Sequence, residues 1–269
     1  MKSLASRVLI LTLLFAVAGC AGSGRVRYDS PEEAVTKGMT EYEAENYTKA
    51  IEYFQGAFDF GRTHQWAADA QLFLARSYRE TEQYLLAANE YTRFTQIFRS
   101  DPRVPEAAYE LAMTYYARSP SYQLDQTPTE QAIQQFQLFI ARYPDHDLAA
   151  DAASRITELR EKLARKKFHS AGLYERRGLF EAAAIYFEEV FDQYYDTEMA
   201  DDALLEAMRM YYRYAELSVR SAQMERLEKA VENYDRLRQI FPNSPHLKQA
   251  EALYLDIRSM MDRLEASAS

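Results

Sequence analysis

The sequence predicts an all-α protein: a right-handed α-solenoid of five helical hairpins, closed at its C-terminal end by a capping helix. Three observations predict it. Chain breakers are sparse, with 8 Gly and 8 Pro among 269 residues, about half the usual share of the two. Apolar residues reach 48%, in runs rich in Ala, Leu, Glu and Arg that favour helix over strand or disorder. Third, a spacing of small and aromatic residues recurs from Pro31 almost to the end, the mark of a repeat architecture.

The N-terminus sets the compartment. Lys2 and Arg7 precede an apolar run, Val8 to Val17, interrupted only by Thr12. Such a run fits a signal peptide and is too short to span a bilayer. It ends in Val17-Ala18-Gly19-Cys20, which resembles the bacterial lipobox. Residues 1–19 therefore read as a lipoprotein signal peptide. Cys20 reads as the acylated N-terminus, carrying chains such as palmitate, and residues 20–30 as a flexible tether. Cys20 is the sole cysteine, so no thiol remains for a disulfide or catalysis. Ala21 after the cysteine resembles lipoproteins sent on to the outer membrane, where the chain is expected on the periplasmic face. The formal net charge is −9 and no basic run is present; this argues against nucleic acid, which needs clustered cations.

The repeat is read unit by unit. Unit one is Gly38, Tyr42, Tyr47, Ala50, Phe54 and Ala57. A small residue in the first helix faces a small residue in the second, and an aromatic one turn on fills the gap beside the contact. This is the tetratricopeptide pattern. Ala75, Tyr78, Tyr84, Ala87, Tyr91 and Phe94 repeat it. So do Ala112, Tyr115, Ala132, Phe136 and Phe139; then Ala171, Tyr174, Phe180, Ala183, Phe187 and Val190; then Ala207, Tyr211, Ala230, Tyr234 and Leu237. The second-helix alanines fall at 50, 87, 132, 183 and 230, in steps of 37, 45, 51 and 47. The ideal step is about 34, so the later units are expected to carry longer helices or loops. Ser30-Pro31-Glu32-Glu33 is a helix start, with a cap, a first-turn proline and two acids at the positive end. Asp101-Pro102 and Asn243-Ser244-Pro245 separate units, and residues 119–128 form a loop inside unit three. Residues 246–266 are the capping helix that such arrays require. The organisation predicted is 31–144 for repeats one to three, 145–245 for repeats four and five, and 246–266 for the cap.

No catalytic motif is present: no G-x-S-x-G, no H-E-x-x-H and no phosphate loop. The four histidines are far apart, so no metal site is expected, and no cofactor beyond the covalent lipid on Cys20. An enzyme is not expected; surfaces remain. The repeat frame puts first-helix residues on an inner face: Val35, Met39 and Tyr42 in unit one, Leu72, Arg76 and Arg79 in unit two, Tyr109, Met113 and Tyr116 in unit three. Methionine and tyrosine give adaptable apolar area, and arginine forks a carboxylate. These residues are expected to line a groove for an extended, aromatic-rich peptide that can end in a free carboxylate, held by Arg76 and Arg79. A second surface is expected on the last two units, from Tyr186, Glu188, Glu189, Tyr211, Tyr212 and Arg213. The doublets Tyr194-Tyr195 and Tyr211-Tyr212 cannot both face a core, because neighbours on a helix point about 100° apart.

Taken together, the lipobox at Cys20, the five repeats and two local stretches resemble the BamD family, the lipoprotein subunit of the outer-membrane β-barrel assembly machinery. The stretches are Asp125-Gln126-Thr127 followed by Ala132, Phe136, Phe139 and Tyr143-Pro144, and Tyr174-Glu175-Arg176-Arg177-Gly178 followed by Ala183. The resemblance covers residues 1–245. Tyr195 departs from it, standing where the family often has proline, and the capping helix is longer than expected. The resemblance implies a scaffold and receptor in insertion of β-barrel proteins. It implies docking of the C-terminal repeats on a BamA-like barrel protein with periplasmic domains. It also implies that the N-terminal repeats receive unfolded outer-membrane proteins and that other lipoproteins of the machinery are partners. Two other readings stay open: another outer-membrane repeat lipoprotein, serving secretin and pilus assembly or envelope division, and a lipid-anchored enzyme or adaptor acting on peptidoglycan.

Overall fold

The computed structural model describes residues 26–266, and all regular secondary structure among them is helical. The signal peptide and Cys20 lie outside the described residues. The helices are α1 (Pro31–Glu43), α2 (Tyr47–Ala57), a short 3₁₀ turn (Phe58–Phe60), α3 (Ala67–Glu80), α4 (Tyr84–Ile97), α5 (Val104–Ala117), α6 (Thr127–Arg142), α7 (Ala149–Arg176), α8 (Phe180–Tyr194), α9 (Ala200–Glu216), α10 (Arg220–Ile240) and α11 (Leu247–Ala266). They are five tetratricopeptide-type hairpins, α1/α2 to α9/α10, followed by the capping helix. The chain divides into two compact units, with the boundary between Ala107 and Ala108. It falls inside α5, whereas the role-based division read from the sequence stands at 144/145.

In the first unit, α1 begins as the sequence predicts. The Ser30 hydroxyl accepts the Glu33 amide at 3.1 Å, and the Glu33 carboxylate accepts the Asp29 amide at 2.7 Å, satisfying donors that no helical carbonyl can reach. The α1/α2 contact is governed by Gly38. A Cβ there would stand 2.6 Å from the Phe54 ring, so the aromatic fills the space a side chain would need. Ala50 and Phe54 are fully buried, as are Ala75, Ala87, Tyr91 and Phe94 in the next hairpin. Both turns between paired helices use one left-handed residue, Glu45 and Glu82, each at φ 59°. The amide after each reaches back to close the helix: Asn46 to the Glu41 carbonyl at 2.8 Å and Gln83 to that of Tyr78 at 2.8 Å.

In the second unit the α8 hairpin turn uses the same geometry, with Gly178 at φ 73° and the Leu179 amide on the Tyr174 carbonyl at 3.0 Å. One buried cluster joins Ala112, Ala132, Phe136 and Phe139 to Ala152 and Leu159 of α7. A larger one runs from Ala171 through Phe187, Leu204 and Met208 to Ala230, Leu237 and Ile257. The step of 45 comes from the connection 118–126 between α5 and α6, the step of 51 from α7 with 28 residues, and the step of 47 from α10 with 21. The first half of α7 packs on α6 and its second half on α8. The capping helix buries Ala250, Ile257 and Met261, and its Tyr254 ring stacks on Tyr234 at 4.4 Å.

Candidate binding surfaces

A concavity of the first unit lies between α1 and α3, a cleft of about 540 Å³. Val35, Thr36, Met39, Thr40 and Glu43 of α1 form one wall; Trp66, Asp69 and Phe73 form the other, and Arg103 closes an end. The 3.6-residue period puts 35, 39 and 43 on one helical stripe. Phe73 is fixed by aromatic neighbours, Tyr42 at 5.2 Å and Phe54 at 6.0 Å. Arg103 is fixed by acids. Asp101 takes two bonds from it, at 2.9 and 2.7 Å, and Asp69 takes a third at 2.6 Å. The bonds from Arg103 hold the Asp101 carboxyl below its ordinary range, and Asp101 in turn raises the guanidinium. The guanidinium's charge is therefore already balanced. The cleft offers an apolar floor, threonine hydroxyls and a net acidic rim, which suits apolar and aromatic side chains of an extended chain better than a free carboxylate.

The predicted groove residues meet mixed fates. Val35 and Met39 line this cleft. Tyr42 wedges edge-on between Tyr47 (5.3 Å) and Phe73, and burial raises its phenol. Leu72 is a correction: like Val35, three residues before the small residue of its own unit, it packs inward and is fully buried, and its neighbour Phe73 lines the cleft instead. Arg76 lies over Phe73 at 5.2 Å and pairs with Glu106 at 3.1 Å; Arg79 pairs with Glu80 at 2.8 Å. Both arginines thus have acids of their own. Tyr109, Met113 and Tyr116 sit in the second unit, half-buried against Phe136, Phe139 and α7. Tyr109 donates to Asp151; burial first, then that carboxylate, pushes its phenol up to about 12. Tyr116 donates to Glu158 at 2.6 Å and has Arg155 over its ring at 5.2 Å. Trp66, Asp69, Phe73 and Arg103 were missed. The only tryptophan of the chain and the Asp-Pro-Arg turn were the signals available.

On the C-terminal hairpins two predicted surface residues turn inward and are corrected. Glu188 accepts from Tyr211 at 2.9 Å and from Asn233 at 2.7 Å, joining α8, α9 and α10. Tyr211 is 3% exposed, and burial, with Glu188 second, raises its phenol. A core tyrosine needs an acceptor, and Glu188 provides it. Tyr212, its doublet partner, is half-buried among the residues around α11. In the other doublet Tyr195 is exposed while Tyr194 is half-buried. Tyr186 packs on Tyr174 at 4.7 Å, Glu189 takes a bond from Lys167 at 2.5 Å, and Arg213 is exposed.

Paired helices with small residues at each crossing, three of the five hairpins turning through one left-handed residue, define a tetratricopeptide-type repeat protein in which the first-helix faces of α1 and α3 form a cleft. Residues 27–227 match the YfiO family, described as an outer membrane lipoprotein; this chain belongs to that family. Three relatives carry the name outer membrane protein assembly factor BamD. The one from Caulobacter vibrioides is 27% identical over 203 residues, covering 72% of this chain and 66% of the relative's own length. That of Neisseria meningitidis serogroup B is 24% identical, covering 90% and 93%. That of Vibrio cholerae is 26% identical, covering 88% and 97%.

Proposed function

We propose that this chain is a non-catalytic, lipid-anchored scaffold and substrate receptor for the assembly of β-barrel proteins into the outer membrane, held at the periplasmic face through acylated Cys20. The observation that carries the reading is the α1/α3 cleft, with Val35, Met39, Trp66 and Phe73 on its walls. An unfolded barrel strand alternates apolar and polar side chains; its apolar side chains enter the cleft while its polar groups meet Thr36, Thr40 and the acidic rim. A cleft preformed on two packed helices avoids the ordering cost of a disordered receptor. The family description and the name borne by the relatives support the same reading. A BamA-like barrel protein with periplasmic domains is the proposed principal partner, docking on the C-terminal hairpins, with other lipoproteins of the machinery alongside.

Purification from membranes through a tag after Ser269 tests this. Recovery of a large barrel protein bearing periplasmic domains is expected. Recovery of a secretin instead would support the pilus-assembly reading. A hydrolytic activity on peptidoglycan that disappears with one carboxylate substitution would overturn the non-catalytic reading.

A further inference from the structure

The segment ahead of α1 is fastened to the first hairpin. The Tyr28 ring lies so close over Gly56 that a Cβ there would overlap it. Tyr28 meets Tyr53 and Phe60 edge-on, at 6.5 and 6.2 Å, and its hydroxyl donates to Asp59 at 2.6 Å. The Arg27 carbonyl accepts from Lys37 at 2.9 Å. Arg27 is thereby tied to α1, and Tyr28 is held against the C-terminal end of α2 and the 3₁₀ turn after it. Phe60, beside them, is 46% exposed, and Arg27 is exposed as well; Arg62 is held over the Phe58 ring at 4.0 Å and donates to Gln71 at 3.0 Å.

Cys20 lies only seven residues before Arg27, a reach of at most about 25 Å when fully extended. Acyl chains on that cysteine lie in the bilayer, so the place where the chain leaves the hairpin cannot stand farther from the headgroups than this reach. We propose that Tyr28 is a latch that fixes this exit point, and that the face it marks, Phe60 with the exposed Arg27, rests in the interface of the lipid leaflet that holds the anchor. This rests on the lipid-anchored reading above. Aromatic side chains sit well at headgroup level, and arginine lays its apolar stem along them with its charge in the headgroups. Asp29 and Asp59 lie beside Arg27 in sequence and on the latch, and the chain carries −9 overall. The contact is therefore interfacial and apolar, with no demand for anionic lipid. The anchor raises the local lipid concentration, so a weak contact suffices to orient the hairpin.

The test uses full-length protein purified from membranes, with the mass of its N-terminal peptide establishing the lipid. It is reconstituted in phosphatidylcholine vesicles with brominated acyl chains. In a Trp66→Phe background, one tryptophan is placed by Phe60→Trp or by Leu85→Trp, an exposed position one repeat farther from the tether. Emission from position 60 is expected to be quenched at least about twofold more than from position 85. Tyr28→Ala is expected to erase the difference, and Tyr28→Phe, which keeps the ring on Gly56, to retain most of it. Equal quenching at the two positions with Tyr28 intact, a comparison needing no latch variant to fold, would overturn the proposal and leave the anchor standing. A difference that survives Tyr28→Ala would overturn the latch. A Cys20 without lipid would overturn both this proposal and the anchored reading.

Discussion

Three residues do the same backbone work with different side chains. Glu45, Glu82 and Gly178 each turn one helix into the next at positive φ, and the next amide closes the turn on a carbonyl five residues back. An L residue with a Cβ is strained there, and glycine is not. Glu82→Gly is therefore expected to stabilise the protein by about 1 kcal/mol, and Gly178→Ala to destabilise it by about 1 kcal/mol. Urea midpoints of the two variants, moving in opposite directions, check the claim. Gly38 is constrained by space and not by torsion. Gly38→Ala forces its methyl into the buried Phe54 ring and is expected to lose about 1–3 kcal/mol, read the same way. The Gly38/Ala50/Phe54 spacing was legible because close helix contact admits only small residues. Leu72 was not legible as buried because spacing marks the small contact residue and not how far inward the residue three before it turns; Phe73, set against Tyr42 and Phe54, meets the cleft instead.

Among the elements, α7 does what no single hairpin helix does. Its first half fills the Phe136/Phe139 cluster through Ala152 and Leu159, and Ala171 near its end joins the larger core. The residues from Ala149 to Ala171 contain neither Gly nor Pro, so nothing stops the helix where the repeat frame expects a boundary. The long step to Ala183 signalled extra length, but helix and loop were indistinguishable by step alone. Leu159→Ala is expected to cost about 2–5 kcal/mol, lowering the urea midpoint while the slope stays unchanged. The α5/α7 pairing adds a pH signature. The Tyr109 phenol is raised from 10.0 to about 12 by burial and Asp151. Below pH 10 it is protonated in the folded and unfolded chains alike, and its contribution is fully present. Between pH 10 and about 12 the unfolded chain releases the proton first, so stability falls as pH rises. Tyr109→Phe is expected to lose less stability than wild type between pH 9.5 and 11.5, measured by urea midpoints across that window.

For the whole molecule, the proposed division of labour places substrate on the first hairpins and the partner on the last. Glu188 and Tyr211 are bound to each other inside the C-terminal core, which leaves Arg213 and Tyr195 as exposed candidates on that unit. The cleft was only half legible, because Trp66, Asp69 and Arg103 come from the starts of later helices and the turn before them, outside the stripe that repeat spacing marks. Trp66 nevertheless makes it directly observable, being the only tryptophan of the chain. Titration with a synthetic β-strand peptide carrying aromatic residues at alternate positions is expected to shift Trp66 emission. Met39→Glu puts a charge on the apolar floor and is expected to weaken binding at least about tenfold, since burying an unpaired carboxylate exceeds the 1.4 kcal/mol that tenfold represents. Arg213→Glu is expected to leave peptide affinity unchanged while reducing recovery of the barrel partner from membranes. Equal loss of peptide binding in both variants, measured by the same fluorescence titration, would show that substrate and partner functions are not divided between the two ends.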